Sequence, residues 1–219
     1  MRLIYWGIAL LLTFSACQQV TKQEEQQSME TNSVQNATIE TILNRRSIRA
    51  YKPEQIKKEE LEQIITCAIN APSALNKQPW QVTVVQNPEL LKEINDGFIQ
   101  FAKNQQMQGN ASRSQEPGFS VFHGAPTVIV VSNDVSNSFS QVDCGLLGQN
   151  ILLSAESLGI GTCVVGGVVG FLATSEGENI VSKLALPEGY KPLYTITVGY
   201  KDQQPEAKPR EISNVTVLE

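Results

Sequence analysis

Apolar side chains recur along the chain with two periods, one of about 3.6 residues and one of about 2, which predicts both helices and strands. Residues 56–70 carry apolar positions at helical spacing, namely Leu61, Ile64, Ile65 and Ala68. This segment should be an amphipathic helix with one face in the core. It should end within residues 71–79, because two prolines lie there and proline does not continue a helix.

Runs of β-branched and aromatic residues predict strands at 80–86, 125–134, 194–200 and 214–218. A further short strand should open the stretch 162–170 and run into a glycine turn. The run 125–134 is apolar almost throughout, so it should lie at the centre of a sheet with both faces covered.

Further helices are predicted at 38–44, 88–106, 142–161 and in the first part of 179–193. In the longest of them, Asp143 is the expected N-cap and Gly159 the expected stop. Gly145 and Gly148 lie three residues apart and should let another helix approach closely. Residues 107–118 are polar and contain glycine, which predicts a mobile loop.

Helices and strands are interspersed, but their order is not a regular βαβ series. No G-x-G-x-x-G turn follows a strand, so the Rossmann fingerprint is missing. The pattern therefore favours an α+β fold with helices layered on a sheet.

The N-terminus has the layout of an export signal. Arg2 precedes the apolar run 3–14, which as a helix would span about 18 Å, too short for a bilayer core of about 30 Å. The small residues of "SAC" follow, so residues 1–16 are predicted to be a signal peptide. The layout also resembles a bacterial lipoprotein signal with Cys17 as the lipidated residue, although Phe14 stands where leucine is common. An ordinary cleaved signal is the alternative.

Residues 17–37 are rich in Gln and nearly free of apolar side chains after Cys17. Such a segment cannot repay the entropy of ordering, so it should be a flexible tether. The folded domain is predicted to be 38–219, which is long enough for one core.

Charge and cysteine usage exclude two classes of function. The net charge is −5, whereas general nucleic-acid binding needs a basic face. The four cysteines show no C-x-x-C spacing and His123 is the only histidine, so no metal site is predicted. The thiols that are not lipidated, Cys163 among them, are expected to pack in the core, and His123 is expected to be structural.

Positive charge is nevertheless concentrated in two short segments, and a third segment is rich in polar side chains. They are "RRSIR" at 45–49, "PSALNKQPW" at 72–80 and "KPR" at 208–210. A phosphate monoester is bound by several charge-assisted donors, and arginine supplies two in a planar fork. If the basic segments converge, they would form a phosphate clamp.

The motifs "RRSIRAY", "APSALNKQPW", "ESLGIGTCVVGG" and "KPR" follow one another in an order that resembles the nitroreductase-like flavoproteins. The resemblance covers about residues 38–210. It implies an α+β sandwich with a central mixed or antiparallel sheet flanked by helices. It also implies a homodimer that binds FMN without a covalent bond between its subunits, with NADH or NADPH as co-substrate.

The resemblance also implies roles for individual residues. Arg45 and Ser47, with Lys208 and Arg210, match residues that bind the FMN phosphate, and Arg49 matches a cation at the flavin's N1 and C2 carbonyl edge. The remaining cofactor-binding candidates are Arg46, the partner-facing loop Pro72, Ser73, Ala74 and Asn76, and the turn Gly166 and Gly167. Arg46 is more typical of a residue that faces solvent or positions the backbone. No side-chain acid or base is expected, and Asn95 is a candidate for an asparagine set against the ring.

The implied activity is ping-pong electron transfer from NAD(P)H through flavin N5 to small nitroaromatic, quinone or activated-alkene acceptors. The alternatives are a flavin enzyme of another redox task and a membrane-tethered lipoprotein that binds flavin or another ligand without turnover. Export conflicts with the use of cytoplasmic NAD(P)H. Another electron donor, the absence of a true export signal, or a cytoplasmic form starting at Met29 would resolve the conflict.

Overall fold

The computed structural model describes residues 36–103 and 105–219. The predicted signal peptide, nearly all of the predicted tether and Met29 lie outside these residues. Thr41–Glu219 form one structural unit. In the described residues, no helix is both long enough and apolar enough to cross a bilayer.

Six α-helices are described: α1 Ala37–Asn44, α2 Lys58–Ile69, α3 Pro88–Ala102, α4 Ser140–Ser157, α5 Gly167–Leu172 and α6 Ser175–Lys183. Single 3₁₀ turns lie at Ala74–Asn76, Gly109–Arg113 and Ile212–Asn214. Helix α3 begins where Asn87 caps it, since its side chain accepts the N–H of Leu90 at 2.8 Å.

Four strands form one antiparallel sheet: β1 Trp80–Val85, β2 Thr127–Asp134, β3 Ile160–Val165 and β4 Tyr190–Tyr200. Their order across the sheet is β1-β2-β4-β3, so β2 and β4 are central. The sheet is antiparallel throughout, which decides between the two predicted arrangements.

Alternate side chains of β2 belong to two different cores. Ile129 and Val131 pack with α2 and α4 on one face, whereas Val128 packs with α3, α5 and α6 on the other. Both faces of the strand are covered, which accounts for its continuous apolar sequence. The α+β prediction with a central sheet between helices is confirmed.

Several local predictions differ from the structure. Asp143 is not the N-cap of α4, because the helix begins after Phe139 and Asp143 lies in its first turn. Gly148 does not receive another helix, since a Cβ there would collide with the hydroxyl of Tyr194 on β4. Residues 167–172 form helix α5 in place of part of the predicted turn.

The predicted strand at 214–218 is not formed within this chain. Its apolar side chains are exposed: Val215, Val217 and Leu218. A strand needs a neighbour for its backbone hydrogen bonds, and no strand of the described residues pairs with this segment.

Candidate functional site

The arginine segment 45–49 leaves α1 and lies along β3. The N–H of Ile48 donates to the carbonyl of Thr162 at 2.9 Å, and Ser47 forms a parallel bridge with Thr162. Ile48 is buried, which holds the segment on the strand. Because the side chains on either side of a buried extended residue point the other way, Ser47 and Arg49 face outward together.

Gly161 and Tyr51 make this docking feasible. A Cβ on Gly161 would lie 2.9 Å from Cγ1 of Ile48, so glycine leaves the space that Ile48 occupies. The hydroxyl of Tyr51 lies 2.7 Å from the carbonyl of Ile48 and 2.7 Å from the hydroxyl of Thr197 on β4. The segment is therefore fixed to both β3 and β4.

Arg45, Ser47 and Arg49 surround the thiol of Cys163 on β3. Burial raises the pKa of Cys163, while the neighbouring Arg49, Ser47 and Arg45 act in the opposite direction. The thiol therefore stays protonated at neutral pH. Cys163 is buried, as expected from the sequence. It also lies beneath Arg45 and Arg49, which together form a cationic surface.

The arginines differ in how they are held. Arg46 donates to the carbonyls of Leu43 at 2.6 Å and Arg45 at 2.9 Å, so it organises the end of α1. Arg49 is exposed and makes a single long hydrogen bond, 3.4 Å, to the carbonyl of Ser47. No ion pair of the described residues involves Arg45 or Arg49, so both charges remain available to an anion.

His123 lies within electrostatic range of Arg49, a placement that the sequence did not indicate. Burial first, and then Arg49, lower the pKa of His123, so its imidazole is neutral at pH 7. Its φ is 57°, in the left-handed region that few non-glycine residues adopt. The feature of the sequence that could have indicated this turn is the His-Gly pair shortly before a central strand, and both of its residues have positive φ.

The loop between α2 and β1 also has an unusual backbone. Leu75, Asn76 and Gln78 all have positive φ. The hydroxyl of Ser73 accepts the N–H of Gln78 at 3.0 Å, which closes the loop on itself. The N–H of Ala74 donates to the carboxylate of Asp143. Pro72 and Asn76 are exposed.

Gly166 and Gly167 follow β3 and are exposed. A Cβ on either glycine would meet no neighbouring atom within 4 Å, so neither is required for packing. Gly166 lies four residues after Thr162, about 13 Å along the strand at about 3.3 Å per residue. An elongated ligand with an anionic end near Ser47 would run along β3 toward this open backbone.

Lys208 and Arg210 lie on the exposed C-terminal segment. Arg210 donates to the carbonyls of Lys208 at 3.0 Å and Pro209 at 3.2 Å. No hydrogen bond joins either residue to the arginine segment in the described part of the chain. Their role in a phosphate site stays a prediction.

Asn95 holds the loop that precedes β2. Its amide donates to the carbonyl of Phe119 at 3.3 Å, and its oxygen accepts the N–H of Val121 at 2.8 Å. Both groups of the side chain are thereby used to fix the loop before β2 on α3. This loop leads directly to His123.

A second concave surface, of about 1010 Å³, lies between α3, α5 and α6 and contains no residue of the arginine segment. Its charges are largely paired, since Lys183 contacts Glu93 at 2.6 Å and Lys92 contacts Asp96. An anionic ligand is better matched by the arginine segment. The described residues contain no group of His, Cys, Asp and Glu side chains placed to hold a metal ion.

Comparison with known proteins supports one family. A model described as the nitroreductase family matches residues 42–200. NADPH-flavin oxidoreductase of Vibrio harveyi is 33% identical over 191 residues, which cover 84% of this chain and 74% of that protein.

Two solved structures are also similar to this chain. A nitroreductase with bound FMN from Desulfitobacterium hafniense has a TM-score of 0.79 and 33% identity, covering 85% of this chain and 100% of that one. Another, from Bacteroides fragilis, has a TM-score of 0.77 and 28% identity, covering 84% and 100%.

Proposed function

We propose that this chain, which belongs to the nitroreductase family, binds FMN along β3 and passes electrons from NADH or NADPH to small acceptors. The observation that carries the proposal is the bridge between Ser47 and Thr162. It places unpaired arginine side chains at one end of a strand whose other end is open backbone at Gly166. Related proteins are named for such activity, including NADPH-flavin oxidoreductase and oxygen-insensitive NADPH nitroreductase.

The phosphate of FMN would be held by Arg45 and the hydroxyl of Ser47. Both residues lie beside β3 around Cys163, and both offer donors. Charge-assisted hydrogen bonds of this kind are worth about 1.5–3 kcal/mol each. Lys208 and Arg210 would add to this site if the C-terminal segment folds back toward it.

Arg49 and His123 would face the ring of the cofactor. When bound, FMN supplies the hydride chemistry, and the protein's part is to hold and polarise it. Arg49 is a permanent cation, which favours negative charge on a nearby ligand. Neutral His123 adds a polar group without further charge. The N–H groups at Gly166 and Gly167 are accessible because no side chain covers them.

We further propose that the protein is a homodimer. Apolar side chains at the start of α4 are exposed at intervals of three and four residues, namely Phe139, Val142 and Leu146. The C-terminal segment exposes Ile212, Val215, Val217 and Leu218. A second copy would cover these surfaces and would offer a strand edge to residues 214–218. Sedimentation of the wild type, Val142→Glu and a chain ending at residue 211 tests this: if all three sediment alike, the proposed interface is wrong.

Cofactor content and reduction test the proposed activity. The purified protein should be yellow, with the absorbance of bound flavin, and should bleach under anaerobic NADH or NADPH. Reduced protein should then be reoxidised by nitroaromatic, quinone or enone acceptors, with parallel-line kinetics in double-reciprocal plots. Each acceptor is assayed with both nicotinamides to define the donor.

Three outcomes would replace the proposal. A protein that binds flavin but is reduced by neither nicotinamide would use another donor or carry flavin. One that is reduced but fails with every acceptor would perform another redox task. A colourless protein that ignores added FMN would be a binding module without flavin.

We also propose that the protein is exported and anchored through a lipid on Cys17. The support is the sequence of residues 1–17 alone, in which a short apolar run precedes "SAC". Mass spectrometry of the mature N-terminus tests it. A lipidated Cys17 supports the anchor, cleavage without lipid indicates an ordinary signal, and a start at Met29 indicates a cytoplasmic form.

A further inference from the structure

Asp143 is a buried carboxylate in the first turn of α4. Its side chain is nearly inaccessible to solvent, at 4% exposure. Its two oxygens both lie 3.2 Å from the N–H of Ala74, on the loop between α2 and β1. No cation of the described residues forms an ion pair with it. A buried polar side chain is unfavourable without hydrogen bonds, so the bond to Ala74 should fix the carboxyl group and the loop relative to each other.

The loop that Asp143 contacts is conformationally unfavourable by itself. Three of its side-chain-bearing residues, Leu75, Asn76 and Gln78, adopt positive φ. Such residues persist only where the surroundings over-determine them, and they cluster at functional sites. The loop therefore needs a restraint that holds this conformation.

The other hydrogen bonds of the loop join residues that are close in sequence. Asn76 donates its N–H to the carbonyl of Ser73 at 3.0 Å, and Lys77 donates to Ala74 at 3.1 Å. Gln78 donates its N–H to the hydroxyl of Ser73 and its side-chain amide to Asn76. The carbonyl of Gln78 accepts the N–H of Trp80, two residues on at the start of β1, at 2.8 Å. Among the described residues, the bond from Ala74 to Asp143 is the one hydrogen bond that ties residues 73–78 to an element distant in sequence.

Two side chains of the loop, those of Leu75 and Asn76, are exposed to solvent. Leu75 is 89% exposed, which is unusual for a large apolar side chain at the tip of a restrained loop. Asn76 is also exposed, and among the described residues its side chain is hydrogen-bonded to Gln78 alone. A fixed backbone that displays an apolar and an amide group is suited to contacting a ligand or a second copy.

We propose that Asp143 is a positioning residue, which locks residues 73–78 in the left-handed conformation and so fixes where Leu75 and Asn76 are presented. What the loop is presented to rests on the proposed function together with the family resemblance, which implies that this loop contacts FMN bound by the partner subunit. The lock itself does not depend on that function. The proposal predicts that removing the carboxylate changes the conformation of the loop while the rest of the fold is retained.

The experiment compares the wild type with Asp143→Ala and Asp143→Asn, each prepared without FMN and with FMN added. Hydrogen exchange of the peptide covering residues 73–78 is followed by mass spectrometry, and FMN affinity is measured by quenching of flavin fluorescence. Asp96→Asn is the matched control, because Asp96 is an exposed carboxylate on α3 paired with Lys92.

Asp143→Ala should raise exchange in the loop about tenfold or more while exchange in β2 and β4 stays at the wild-type rate. Loop exchange in Asp143→Asn should lie between the rates of the wild type and Asp143→Ala, since the amide oxygen of asparagine can still accept the N–H of Ala74. FMN affinity should fall in the same order, and the control should match the wild type. Loop exchange at the wild-type rate in either variant overturns the proposal. If Asp143→Ala does not fold, Asp143→Asn decides alone.

The two proposals fail separately. If the wild type binds no FMN, the proposed function is wrong, but loop exchange still decides the role of Asp143. If the wild type binds FMN and either Asp143 variant retains the wild-type rate of loop exchange, only the positioning role is wrong.

Discussion

The hydroxyl groups of Tyr51 and Thr197 lie 2.7 Å apart beneath the arginine segment. Tyr51 also lies 2.7 Å from the carbonyl of Ile48, and Thr197 donates to the carbonyl of Cys163 at 3.2 Å. Burial raises the pKa of Tyr51, so its hydroxyl keeps its proton at neutral pH. This buried pair joins the segment that carries Arg45 and Arg49 to the two strands below it.

Removing the hydroxyl in Tyr51→Phe should destabilise the fold by about 1–3 kcal/mol, because buried groups that bonded to it lose their partner. The loss is measured by urea unfolding of the wild type and the variant. FMN affinity should also fall, since the backbone at Ile48 is no longer fixed.

A double-mutant cycle with Thr197→Val separates the pair from general loss of packing. The double variant should be more stable than the sum of the two single losses predicts. Strict additivity would mean that the two hydroxyls do not cooperate, and the account of the buried pair would be wrong.

Gly161→Ala tests the close contact between β3 and the arginine segment. The new Cβ would lie 2.9 Å from Ile48 and from the side chain of Lys201, so at least one must move. Overpacking of this kind costs about 1–3 kcal/mol. Gly170→Ala is the matched control, since its Cβ would make only ordinary contacts with Phe101. Equal melting temperatures for both variants would contradict the packing at Gly161.

Hydrophobic period was sufficient to predict most of the fold. The strand at 125–134 was apolar on both faces because the alternating residues Val128 and Ile129 enter different cores. The helix at 56–70 was equally clear, since all the apolar side chains of its stripe pack into the same core. These patterns can be read from each segment alone, because each element buries the face on which its apolar residues recur.

The restraints around the site were not visible in the same way. Asp143 looked like an N-cap because a carboxylate near a helix start usually is one, but its partner, Ala74, is 69 residues away. The strand predicted at 214–218 failed for a related reason. Strand formation depends on a neighbour, and the sequence of a segment does not say whether that neighbour belongs to the same chain.

The stability of the protein should depend on the protonation of His123. Its pKa lies below the ordinary value of 6.5 in the folded state, so the unfolded chain binds this proton more tightly. The contribution of neutral His123 to the free energy of unfolding is fully present above about pH 6.5. It is lost as the pH falls from there through the lowered pKa of His123 in the folded protein. Unfolding midpoints between pH 5 and 8 measure it, and NMR of the single imidazole gives the pKa directly.

His123→Asn is the informative variant, because asparagine tolerates the left-handed backbone at this position. It should remove the His-dependent part of the pH profile while keeping the fold. A profile as steep as that of the wild type would assign the effect to another group.

Arg45→Ala should weaken FMN binding by about tenfold or more, because one charge-assisted contact to the phosphate is lost. Riboflavin, which lacks the phosphate, should bind the wild type and the variant equally. Lys58→Ala removes one positive charge from an exposed site on α2 and is the control for net charge. An Arg45→Ala protein with unchanged FMN affinity would remove Arg45 from the phosphate site.

The thiols of the described residues should differ in reactivity. Burial, and then Asp143, raise the pKa of Cys144 to about 11, and burial raises the pKa of Cys163. Both therefore remain thiols at pH 8, whereas Cys67 is only partly buried. Because the thiolate is the reactive form, iodoacetamide should label Cys67 first in the native protein. Peptide mapping after timed quenching measures each rate separately.

Unfolding in urea provides the control, since all three thiols should then react at similar rates. FMN should leave the rate at Cys67 unchanged. Native labelling of Cys163 as fast as that of Cys67 would show that the base of the cationic surface opens to solvent. The arginine segment would then not be held on β3 as the bond between Ile48 and Thr162 requires.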